Sequence, residues 1–284
     1  MKQLRFLVLI LLSALSVNTV FAQDGEVPEE KEDFIGDFTY TRYSIRERKP
    51  VPYPSQREAD VMYARRIVRI LDTKEKQNLI CRWPKNPLSV IIFEAAENGE
   101  ITAFKNDSLQ NFYRPDTVID MLSQKEVIQV PDRMFPGEFK DSVVINKFNY
   151  EEDVVRYEII EDWIFDKQRG VFYPRIIAFS PLYKLIVDGQ DLGELPAFYC
   201  SWSELRGLLI NEEIFNRHND AAKFSYYDWF ELRLFSSYII KEPNVFDRKF
   251  EEYDELKNNP LAQLLEGERV KDELFNWEHD LWQY

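Results

Sequence analysis

Three carboxylates crowd one short stretch of this sequence: Glu161, Asp162 and Asp166. Two carboxyl groups about 5 to 10 Å apart across a cleft are the machinery of glycoside hydrolysis, one as acid and one as nucleophile or base. Glu161 stands two positions before Trp163, so on a strand the two share a face, and burial there would raise the carboxyl pKa. The chain holds 50 acidic residues, however, so such crowding also arises from composition alone. Other chemistry-bearing residues are sparse. There are two histidines, His218 and His279, and no ligand-type residue stands at the i, i+4 spacing that a metal site on a helix needs. No metal and no cofactor is expected. Cys81 and Cys200 have no neighbouring histidine to activate them. They are either one disulfide of an oxidising compartment or two buried free thiols. The sequence contains no G-x-S-x-G elbow, phosphate-binding loop or dinucleotide fingerprint.

The carboxylates fall on the strongest local pattern in the chain. Val154 to Asp166 and Val171 to Phe179 are dense in β-branched and aromatic residues, and a polar turn ending in Gly170 separates them. This predicts a long β-hairpin. On its first strand Tyr157, Ile159, Glu161, Trp163 and Phe165 share one face, and Glu158, Ile160, Asp162, Ile164 and Asp166 the other. Shorter strands are predicted at Ile101–Phe104, Lys184–Val187 and Leu195–Tyr199. Ahead of the hairpin, Ala59, Met62, Ile67, Ile70 and Leu71 recur at three-to-four spacing, with Arg65, Arg66 and Arg69 on other faces. With Ser55 and Glu58 as a capping box, this predicts a helix over 56–77. Further helices are predicted at Leu88–Ala96, Ser201–Ile210, Ser225–Phe235 (Ser225 as N-cap, with Asp228 at the third position) and Gly267–Trp282. The fold class is α+β: a central antiparallel sheet with a long β-hairpin, flanked by helices, in a single domain over 55–284.

Two segments precede that domain. Residues 1–22 have the parts of a cleavable signal peptide: Lys2 and Arg5, an apolar run from Phe6 to Leu15, and Val20-Phe21-Ala22 at the cleavage site. Polar residues from Ser13 to Thr19 break the run short of a spanning helix. Residues 23–54 are acidic and then proline-rich, the composition of a flexible arm. The whole chain carries a net charge of −14. That disfavours nucleic acid and anionic lipid as partners, since both demand a basic surface. Aromatic residues make up 15% of the chain. Most should fill the core, while Trp282 and Tyr284, and the basic cluster Arg65, Arg66 and Arg69, are candidate partner contacts.

Several runs carry a family resemblance. They are Arg65–Asp72, Gly99–Phe104, Ile160–Arg169 (with its specific Glu-Asp-Trp-Ile-Phe-Asp-Lys-Gln-Arg), Arg175–Ala178, His218–Asp220, Tyr227–Phe230, Ser236–Glu242 and Asn244–Arg248. From about Gln56 to Tyr284 the sequence resembles the GldN/PorN family of gliding-motility and type IX secretion proteins. The resemblance implies a non-enzymatic periplasmic component that builds a homo- or hetero-oligomeric ring with an outer-membrane lipoprotein (GldK/PorK-like) and contacts an inner-membrane-anchored motor partner (GldM/PorM-like). It implies no catalytic residue.

Three functions compete on the sequence. The first is a structural secretion-ring subunit, held at the outer membrane by a partner. The second is a periplasmic glycan hydrolase using Glu161 and Asp162. The third is a monomeric periplasmic protein-binding module.

Overall fold

The computed structural model describes residues 48–118, 124–131, 139–146, 148–187, 190–217, 219 and 221–280. The predicted signal peptide, most of the predicted arm, His218, Trp282 and Tyr284 lie outside them. By contact, Ile45–Tyr284 form one unit, to which every described element belongs.

In chain order the elements are β1 (Val61–Asp72), α1 (Leu88–Glu97), β2 (Gln124–Pro131), β3 (Phe139–Asn146), the one-turn α2 (Tyr150–Asp153), β4 (Val154–Asp166), β5 (Val171–Val187), β6 (Gln190–Pro196), β7 (Cys200–Ser201), α3 (Trp202–Leu209), α4 (Tyr226–Glu231), β8 (Tyr238–Lys241) and α5 (Pro260–Asp280). The main sheet runs β6-β5-β4-β1-β8, with β7 also on β5, and every pairing is antiparallel. β2 and β3 pair separately. The α+β class is therefore correct.

The hairpin forms as the sequence predicts. Asp166 pairs with Val171, and Gly170 adopts φ +63°, the left-handed region a tight turn demands and glycine supplies cheaply. Asp166 holds the turn by accepting the backbone N–H groups of Gln168 (2.9 Å) and Arg169 (3.3 Å). The predicted Lys184–Val187 strand is the continuation of β5, and Ile101–Phe104 shrinks to isolated bridges from Phe104 to Phe112 and Tyr199. The helices at Leu88, Ser201, Ser225 and toward the C-terminus are all present. Ser225 and Asp228 form the reciprocal capping box that satisfies two N-terminal donors of α4.

The first predicted helix is the principal correction. Residues 61–72 are a central strand between β4 and β8. Its outer half alternates in exposure, while Ile67–Leu71 are buried without a break. A strand covered on both faces loses its polar–apolar alternation, and Ile67, Ile70 and Leu71 then imitate helical spacing.

Two layers cover the sheet. Tyr157, Ile159 and Phe179 pack under α1, α3 and α4 in the largest core, with Phe93, Phe198, Trp202, Trp229 and Phe230. Along the same face, Ile67, Trp163, Phe165 and Phe172 meet Val270, Leu274 and Trp277 of α5. On the opposite face Val68, Ile160, Ala178 and Tyr199 form a smaller cluster beneath Phe104 and Leu109. The end of the arm is docked: Arg48 pairs with Asp228 at 2.8 Å, Tyr53 donates to Glu231, and Arg206 donates to the Val51 carbonyl.

Candidate functional site

β4 carries a carboxylate into each face of the sheet. Glu161 is fully buried on the α5 side, sharing that face with Trp163 as strand alternation requires. Trp163 Nε1 donates to Glu161 Oε1 at 3.0 Å, Arg69 Nε donates to the same oxygen, and Arg233 Nη1 lies 2.8 Å from Oε2. Both guanidiniums lie over the Trp163 ring, 5.9 and 5.7 Å from its centroid. Burial by itself raises the Glu161 pKa, but the charges of Arg69 and Arg233 outweigh it and hold the carboxyl below its ordinary value. The sequence expectation of a raised pKa fails for that reason. It counted the indole and not the two cations.

Arg233 arrives by an unusual route. Behind α4, the N–H of Arg233 bonds the Phe230 carbonyl and that of Leu234 bonds the Trp229 carbonyl, the double closure of a Schellman turn. Arg233 takes φ +52° at the position where glycine is ordinary. An L-residue there costs about 1–2 kcal/mol, and in return its side chain reaches the buried carboxylate. A cavity of about 500 Å³ adjoins the group, bounded by Arg69, Trp163, Arg233, Phe235, Lys271 and Phe275.

Glu158, three residues earlier and also buried, turns to the other face. It accepts from Tyr199 Oη at 3.1 Å and from Lys249 Nζ at 2.9 Å. Burial, and then the Glu158 charge, raise the Tyr199 pKa.

The three carboxylates singled out in the sequence do not converge. Asp162, next to Glu161, faces the opposite side and is held bidentately by Arg66 at 2.7 and 2.9 Å. Asp166 is spent on its turn and on Arg169 at 2.9 Å. No common substrate can lie between Glu161 and Asp162 with the sheet separating them.

The basic cluster divides in the same way, because its members sit on a strand and not on a helix. Arg69 is buried on Glu161, and Arg65 on the same face reaches Glu242 and Glu273. Arg269 of α5 joins those two glutamates, so the network clamps α5 to β1 and to the end of β8. Arg66 remains the exposed member. Cys81 and Cys200 are free thiols buried in the largest core, and burial raises both pKa values far from thiolate chemistry. Among the described residues no cluster of His, Cys, Asp and Glu could hold a metal ion, and no helix is long and apolar enough to cross a membrane.

Sequence reasoning missed Arg233, Glu158 and Lys249. The one local signal for Arg233 was a charged residue between Leu232 and Leu234 just past a capped helix, where a glycine is expected.

The ion groups, the sheet that carries them and the clamped helix form one continuous stretch of chain. A family model described as gliding motility associated protein GldN matches residues 56–283. The chain belongs to the GldN family. The match starts ahead of β1 and runs beyond α5, so it takes in both buried glutamates and all of their partners. No curated protein matches the chain.

Proposed function

We propose that this chain is a non-enzymatic structural component of the type IX secretion and gliding-motility machinery. In this reading it is exported by its signal peptide and forms a periplasmic ring with an outer-membrane lipoprotein. The observation that carries it is the family match over nearly the whole domain, to a gliding-motility component. The architecture is in keeping with it. Glu161 ties the sheet to the end of α4 through Arg233, while Asp162 and Asp166 are engaged by arginines of the neighbouring strand and of the hairpin turn, so all three serve structural contacts. Neither Glu161 nor Asp162 is placed as the general acid of a glycan hydrolase, since the first is held ionised and the two face apart.

Assembly is the test. Purified from envelopes that contain its machine partners, the tagged chain should elute as a very large complex with a lipoprotein. A strictly monomeric protein from the same cells would overturn the proposal. Finding the unprocessed chain in the cytoplasmic fraction would overturn the export.

A further inference from the structure

On the far side of Arg233 lies a second cavity, of about 440 Å³, between the chain leading into β1, the first half of β5 and the end of α4. Its charge is opposite to that of the chain. Arg169, Arg175 and Arg233 border it, against the single carboxylate of Glu231, which already accepts from Tyr53. Arg169 and Arg233 have carboxylate partners, Asp166 and Glu161. Arg175 has none among the described residues. Its one hydrogen bond is a long 3.4 Å contact to the Tyr173 hydroxyl, and its Nε is buried with no acceptor. The rings of Tyr53 and Tyr173, 4.7 and 5.4 Å from its guanidinium carbon, hold the group in place. A desolvated guanidinium N–H left open is costly, and its fork geometry matches a carboxylate.

The backbone beside it is open as well. β7 pairs only with Ala178 and Phe179 of β5, and β6 with Leu182 to Val187. Val171–Ile176 therefore have a strand partner on the β4 side alone among the described residues. Pro174, within that stretch, has no backbone N–H to donate, which suits a position at such an edge. The other walls are apolar: Val171, Pro174, Ile176 and Phe230.

We infer that this pocket binds an extended peptide segment of a partner protein, with an acidic side chain on Arg175 and a flanking aromatic or aliphatic side chain on the apolar wall. Peptides recognised at a sheet edge gain affinity from the backbone and specificity from such side-chain pockets. A volume of this size falls in the range of ligand sites, roughly 300–1,000 Å³. The inference stands whether or not the ring proposal holds.

Calorimetric titration of the full mature chain at low salt tests it, with three probes: the capped tripeptides Phe-Glu-Val and Phe-Gln-Val, and capped glutamate alone. The glutamate tripeptide should bind at least ~10-fold more tightly than its glutamine counterpart, the scale of one charge-assisted bidentate contact. It should also bind more tightly than capped glutamate. Arg175→Met should erase the discrimination with the melting temperature little changed, and Arg175→Lys, which keeps the charge and loses the fork, should weaken it. Equal binding of the two tripeptides, binding of neither, or discrimination that survives in Arg175→Lys at full strength would each overturn the inference. Equal binding of capped glutamate would overturn the peptide assignment.

Discussion

The two ends of one sheet face are packed by opposite means. Under α1, α3 and α4 the contacts are apolar: Phe93 stacks on Tyr150 and meets Phe198 edge-on, and Trp202, Trp229, Phe230 and Phe235 continue the aromatic network. Under α5 the apolar seam of Val270, Leu274 and Trp277 is narrow, and ion pairs surround it. The difference teaches what each end can tolerate. An aromatic core spreads its stabilisation over many contacts, so one side chain removes only its share. A buried ion group is conditional, because every member is costly once its partner is gone.

Glu161→Gln should show this most strongly. It leaves Arg69 buried and Arg233 partly buried with no counter-charge, and should cost about 3–5 kcal/mol in denaturant unfolding. The same group sets a pH limb. With the folded-state pKa below the ordinary value, the unfolded chain binds more protons in acid. The stabilisation is thus complete above the usual carboxylate range, near 4.5, and is lost as pH falls through the lower folded-state value. Stability of the parent measured from pH 6 to 3 should decline more steeply than that of Glu161→Gln. Parallel curves would assign the acid sensitivity to other groups.

Arg233→Gly separates strain from charge. Glycine relieves the left-handed backbone by about 1 kcal/mol, yet Glu161 loses one of its two cations, so a net loss of about 1–2 kcal/mol is expected. In a Glu161→Gln background the same change should become stabilising, and a double-mutant cycle would detect the reversal.

Two glycines extend the comparison to the helices. At Gly267 of α5 an added Cβ would stand 2.6 Å from the Ile239 carbonyl oxygen of β8, so Gly267→Ala should cost about 1–3 kcal/mol despite its better helix propensity. Gly207 of α3 meets nothing within 4 Å, and Gly207→Ala should stabilise by up to ~1 kcal/mol. Thermal melts of the pair should move in opposite directions. The smallest effect belongs to Asp162→Asn. Its partner Arg66 has a side chain 58% exposed, and a change within about 1 kcal/mol is expected. A loss as large as that of Glu161→Gln would mean that the two faces are coupled.

Elements whose signal is local were legible. The hairpin announced itself through β-branched density and a polar turn, and α4 through Ser225 and Asp228, because turns and caps are decided within a few residues. The strand β1 was not. Its neighbours, β4 and β8, come 80 residues or more later in the chain, and burial on both faces erased the alternation by which a strand is read. The candidate site divides in the same way. Glu161 and Trp163 were placed together by the strand period, whereas Arg69 was assigned to a helix, and Arg233, from a turn far along the chain, went unseen.

The sequence by itself thus determined the α+β class, the hairpin and its two faces, the Ser225–Asp228 cap and the family, all carried by short-range patterns, whereas the Ser55–Glu58 capping box fell with the helix it was meant to start. Only the tertiary structure decided that Glu161 is held ionised and that Glu161 and Asp162 work apart. It also decided that the basic cluster faces inward at two of its three positions, and that Arg175 has no acidic partner among the described residues. The sign of a buried charge's pKa depends on which opposite charges the fold brings within a few ångströms, and distance along the chain does not record it.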